Sequence, residues 1–76
     1  MGDERGEALA LGVLGDLEVE NGRYPKATSL YESALSLSQK VGAQDVEAEI
    51  RHAIDNMIAA KSKQQEQVHN SSLLLQ

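Results

Sequence analysis

Cysteine is absent from the sequence, which excludes disulfides, thiolate metal ligands and a thiol nucleophile. Phenylalanine and tryptophan are absent as well. Two tyrosines, Tyr24 and Tyr31, make up the whole aromatic content, 3% of the chain. A core therefore has to come from Leu, Ala, Val and Ile. Basic residues are few: 7 Lys and Arg stand against 12 Asp and Glu, for a net charge of -5. Nucleic-acid binding needs clustered cations to neutralise phosphates, so it is not expected here; attachment to an anionic membrane surface is not expected either. No apolar run approaches the roughly 20 residues of a membrane span. The opening Met1-Gly2-Asp3-Glu4-Arg5 is too polar for a signal peptide. Together these readings predict a soluble, intracellular, cytoplasmic protein without membrane insertion.

What remains has an ordinary globular balance, 41% hydrophobic and 25% charged, rather than that of a disordered chain. At 76 residues it allows one small domain, marginal by itself. The only proline, Pro25, follows a turn signal at Asn21-Gly22-Arg23, and a second break stands at Val41-Gly42-Ala43. Each segment between breaks has helical periodicity. The first, from about Asp3 to Glu20, carries Leu11, Leu14 and Leu17 at three-residue spacing, with Asp3 as its expected cap. Gly12 and Gly15 lie inside this pattern, where each costs about 1 kcal/mol relative to Ala. Close packing accounts for Gly15. The second segment, from about Pro25 to Lys40, places Tyr24, Ala27, Tyr31, Ala34 and Ser38 on one face and Leu30, Leu37 and Val41 on an adjoining stripe. Proline suits the first helical position, and Gly42 suits a left-handed cap at the far end. The third, 45–63, gathers Val46, Ile50, Ala53, Ile54, Met57 and Ile58 on one face, with Asp45 as its expected cap. The residues 64–76 lose the apolar period and are expected to form a disordered tail. The two connections are short, which predicts antiparallel neighbours and a three-helix, all-α domain over 3–63.

The first two helices contain the pattern Leu11-x2-Leu14-Gly15, then Gly22-x-Tyr24-x2-Ala27-x3-Tyr31-x2-Ala34-Leu35. This pattern resembles the tetratricopeptide repeat, a helix–turn–helix unit of 34 residues, over about residues 8–41. Leu11, Glu18 and Gln39 stand where that family favours Trp, an aromatic and Pro. Setting Ile54-Asp55 against Leu14-Gly15 gives a spacing of 40 residues, so that 45–63 resembles a capping helix or half repeat. The resemblance implies an antiparallel helix–turn–helix repeat, a fragment of an α-solenoid with a third C-terminal helix. It also implies that Gly15 and Ala27 meet at a close helix crossing, with Tyr24 and Tyr31 as bulky fillers. The function it implies is that of a non-catalytic interaction module, holding a partner peptide or helix in a groove. By pattern matching the groove includes Leu9, Gly12, Asp16 and Val19 from the first helix and His52 and Asn56 from the third. Gly12 would leave room there for a ligand backbone. Members of the family that hold a terminal carboxylate use Lys and Asn at these positions; Gly12 and Asp16 do not suit that ligand.

Read residue by residue, these side chains favour plain packing over chemistry. His52, near Asp55 and Asn56, falls short of a zinc set. The serines at 29, 33, 36 and 38 have no adjacent His–Asp pair, and no phosphate-cradling glycine loop is present. No enzyme activity, metal or cofactor is expected. Asp3, Glu4, Glu7, Asp16, Glu18 and Glu20 crowd the first helix with only Arg5 opposing. The bland reading is a solvated face, and the functional one a basic protein or peptide partner. A structural oligomerisation domain is the second reading, a homodimer being the simplest form, and a metal-dependent regulatory protein the third. The apolar Leu73-Leu74-Leu75 is either disordered or a short docking motif.

Overall fold

A computed structural model describes the backbone of residues 3–75 and the side chains of residues 3–63. Three helices follow one another: α1 (Glu4–Glu20), α2 (Tyr24–Lys40) and α3 (Gln44–Leu75). Among the described residues there is no strand, and no helix is long and apolar enough to cross a membrane.

The two turns are built alike. Gly22 and Gly42 adopt φ of 75° and 70°, a left-handed conformation that a Cβ would disfavour. In the first turn Gly22 N donates to Val19 O at 3.0 Å and Arg23 N to Glu18 O at 2.8 Å. In the second, Gly42 N donates to Gln39 O at 3.2 Å and Ala43 N to Ser38 O at 2.9 Å. Both pairs of bonds have the Schellman pattern, which satisfies the last carbonyls of the helix. At the start of α1, Asp3 Oδ1 accepts from Gly6 N at 3.0 Å. Two expected starts shift by one residue. Pro25 is the second residue of α2 rather than the first, and Asp45 lies inside the first turn of α3 rather than capping it.

The core gathers Ala8, Ala27, Tyr31, Ala34, Val46, Ile50 and Met57. Ser38 is buried among them, and its hydroxyl donates to Leu35 O at 2.8 Å. The inward face of α1 differs from the leucine stripe that the spacing suggests. Ala8, Gly12 and Gly15 are buried, whereas Leu14 and Leu17 are 48% and 49% exposed. The reason is distance. A Cβ on Gly15 would stand 2.6 Å from Tyr31 Cε1 and 2.8 Å from its Cδ1, and one on Gly12 would stand 2.9 Å from Ile50 Cδ1. Only a face of small residues lets α1 approach both neighbours so closely. The group lying over Gly15 is thus the Tyr31 ring, with the fully buried Ala27 supporting the same hairpin.

Gly15→Ala follows as a test. Overpacking typically costs about 1–3 kcal/mol, and the gain in helix propensity is about 1 kcal/mol. Because the Tyr31 ring is buried, it has nowhere to swing. We expect a net loss of about 1–2 kcal/mol, read from urea denaturation. An unchanged or raised midpoint would mean that the ring yields freely.

Exposed ion pairs tie the helix ends together. Arg5 of α1 pairs with Asp45 of α3, and Lys40 Nζ of α2 lies 3.1 Å from Glu4 Oε2. Glu47 of α3 accepts from Arg51 at 2.7 Å and from Gln39 of α2 at 3.2 Å. The hydrogen bond from Arg5 holds the Asp45 carboxyl below its usual range, and the bonds from Arg51 and Gln39 do the same for Glu47. Depressed carboxyls favour the fold above their unfolded pKa, and that contribution fades as the pH falls through the folded value. Exposed pairs of this kind contribute little.

α3 has 32 residues against 17 in each partner helix. The segment expected over 45–63 begins at Gln44, and its backbone continues as helix through 64–75. Lys63 therefore marks where the apolar period stops, not where the helix does. The stretch after it, rich in Gln and free of Gly and Pro, contains nothing that breaks a helix. At about 1.5 Å per residue α3 is about 48 Å long and overruns the α1–α2 hairpin. The expectations for Leu73, Leu74 and Leu75 concern side chains outside the described residues.

Candidate functional site

A cleft of about 610 Å³ lies between α1 and α3. α1 contributes Asp16, Val19 and Glu20 to its wall, and α3 contributes Glu49, His52 and Asn56. A smaller pocket of about 90 Å³, reached by Leu9 and Gly12, shares Asp16, Glu49 and Ala53 with the cleft. The six residues assigned to a groove from the sequence, Leu9, Gly12, Asp16, Val19, His52 and Asn56, therefore line one continuous furrow. Their positions follow from helical spacing. Gly12, Asp16 and Val19 stand four and three residues apart on α1, and His52 and Asn56 stand four apart on α3, so each set shares a face.

They do not contribute alike. Leu9 and Val19 are partly buried and pack against the core. Gly12 is buried, and Ile50 Cδ1 takes up the space over it, so its small size serves the α1–α3 crossing rather than a ligand backbone. Asp16, His52 and Asn56 are exposed and form the polar wall. Six further residues belong to the cleft without having been expected there, Glu20, Glu49 and Tyr31 on its polar side and Ala53, Met57 and Ala60 on its apolar side. Helical spacing could have found two of these: Glu20 follows Asp16 by four, and Glu49 precedes His52 by three.

The electrostatics of the cleft are one-sided. Asp16, Glu20 and Glu49 line it, and among the described residues neither Lys nor Arg does. Asp16 Oδ1 accepts a hydrogen bond from the Tyr31 hydroxyl, which fixes this carboxylate at the base of the wall. Burial, then that bond and the charge of Asp16, push the Tyr31 pKa well above its ordinary value. Tyr31 is thereby kept as a neutral donor rather than a base. Among the described residues no cluster of three His, Cys, Asp or Glu side chains is placed to hold a metal ion, and Asp55 is not among those lining the cleft with His52. The arrangement offers hydrogen bonding and negative charge along an apolar floor of Ala53 and Met57. No family model matches the sequence, and no curated protein or solved structure is significantly similar to it.

Proposed function

We propose that this chain is a non-catalytic protein–protein interaction module of the tetratricopeptide type, which binds a basic peptide or helix along the α1/α3 furrow. The observation that carries this reading is the run of Asp16, Glu20 and Glu49 along a cleft that has no lining Lys or Arg among the described residues. A cationic segment would meet complementary charge at the rim, which steers association and selects partners, while its apolar side chains would cover Val19, Ala53 and Met57. The repeat assignment draws support from the glycine-closed hairpin, from the Tyr31 ring lying over Gly15 and from the full burial of Ala27 and Ala34.

The test is selection from a displayed library of short peptides, followed by anisotropy titration of the enriched sequences. We expect Lys- and Arg-bearing peptides to be enriched. Their affinity should drop at least about tenfold on Glu20→Lys with Glu49→Lys, and should weaken with salt as screening shortens to about 3 Å at 1 M. These two positions are exposed, and changing them leaves the Tyr31–Asp16 bond intact. Equal enrichment of acidic peptides, or binding indifferent to both substitutions, would refute the reading. The oligomerisation reading is favoured by a different observation, on another face of the molecule.

A further inference from the structure

Among the described residues five large apolar side chains are substantially exposed: Val13 (58%), Leu14 (48%), Leu17 (49%), Val41 (38%) and Ile58 (55%). Four of them fall on two separate surfaces. Val13, Leu14 and Leu17 are on α1. At 3.6 residues per turn, Leu14 and Leu17 lie about 160° and 140° around that helix from Gly12. Gly12 is the residue that meets Ile50 of α3, so these two leucines look away from α3. By the same geometry Glu7 borders Leu14 and Glu20 borders Val13, and among the described residues neither carboxylate is held in an ion pair. This face is apolar with an acidic border.

Ile58 belongs to the second surface, a cleft of about 410 Å³ between α2 and α3. Tyr24, Pro25, Ile54 and Met57 line it, and among the described residues Lys61 is its only charged lining residue. Lys61 is exposed, and among the described residues it forms no ion pair. This surface is apolar with a basic border. One chain thus carries a convex apolar face edged by acid and a concave apolar cleft edged by base.

We propose that the protein associates head to tail, the α1 face of one copy seating Leu14 and Leu17 in the α2/α3 cleft of the next, with the acidic border of Glu7 and Glu20 facing Lys61. A second copy is the occupant because it supplies both the apolar side chains and the opposite charge for each surface. A symmetric contact between two α1 faces would cover the leucines equally well, but it would set Glu7 and Glu20 against their own counterparts. The head-to-tail contact leaves one unfilled surface at each end, so it continues to add copies unless its rotation closes a ring. Glu20 borders both surfaces, but the contact uses none of Asp16, Glu49, His52 and Asn56 of the α1/α3 furrow, so it does not rest on the peptide-binding reading.

Sedimentation velocity of the full chain across the micromolar to millimolar range tests this. The wild type should grow beyond a dimer with concentration, and added salt should weaken that growth. The variants Leu14→Glu/Leu17→Glu and Ile58→Glu change exposed positions, and circular dichroism checks that each remains helical. Each alone should be monomeric, and an equimolar mixture should form a dimer and stop there, because each variant retains the surface that the other lacks. Lys61→Glu, at an exposed position, should weaken growth at least about tenfold by reversing the charge of the cleft. A wild type that stays monomeric throughout would overturn the proposal. So would Ile58→Glu dimerising as well as wild type, dimerisation strengthened by salt, or variants that do not pair when mixed.

Discussion

Replacing Tyr31 by Ala is expected to leave the domain largely unfolded. Truncating a buried large aromatic costs about 3–5 kcal/mol, and Tyr31 is only 1% exposed. The whole stability of a chain this size, at about 0.05–0.15 kcal/mol per residue, is about 4–11 kcal/mol. No neighbour can move in to fill the space, because the wall opposite the ring is the glycine backbone at Gly15. Tyr31→Phe separates the ring from its hydroxyl. It removes only the bond to Asp16, whose exposed carboxylate can turn to water, so the expected loss is about 1 kcal/mol. The two variants also differ from wild type in alkali. The Tyr31 pKa is raised in the fold, so its contribution is fully present below the unfolded value near 10. It is lost as the pH rises from there toward the folded value. Urea denaturation across this range should show an alkaline decline in wild type that is smaller in Tyr31→Phe. A Tyr31→Ala chain that melts like wild type would remove Tyr31 from the centre of the fold.

The turns and the helix count were legible because glycine has few substitutes at positive φ, and among the described residues Gly22 and Gly42 are the two that use it. The inward face of α1 was harder to see. Leu11, Leu14 and Leu17 follow one helical spacing and Ala8, Gly12 and Gly15 follow another, so apolar residues ring much of the helix and periodicity alone does not choose between them. The choice falls to closeness of approach, which favours the smaller side chains. Hydrophobicity favours the larger ones, and the outcome leaves Leu14 and Leu17 half exposed. The furrow was legible in outline through the repeat resemblance, which assigned Asp16, His52 and Asn56 to a groove on two helices. Its acidic character was only partly so. Spacing sets Glu49 on the face of His52, but its nearness to Asp16 arises only through the α1–α3 contact. The end of α3 was not legible, because the loss of an apolar stripe and the end of a helix are different events.

That α1–α3 contact is the basis of the last prediction. Ile50 is 3% exposed, and its Cδ1 lies over Gly12. Ile50→Ala should cost about 2–5 kcal/mol and loosen α3 from the hairpin. Gly12→Ala alone should be close to neutral. Its Cβ would meet Cδ1 at 2.9 Å, a tight contact with the far end of a side chain that can rotate, and this offsets a helix-propensity gain of about 1 kcal/mol. The combination is the informative case. With Ile50 shortened, the Cβ of Ala at position 12 occupies part of the vacated space and meets nothing that has to move. Gly12→Ala should then recover the full propensity gain of about 1 kcal/mol, together with some of the lost packing. The two changes should therefore be coupled rather than additive, as neighbours sharing one space are. Four urea titrations, of wild type, each single variant and the double variant, complete the cycle. Strict additivity would mean that residues 12 and 50 do not meet in solution, and the furrow built on their contact would lose its floor.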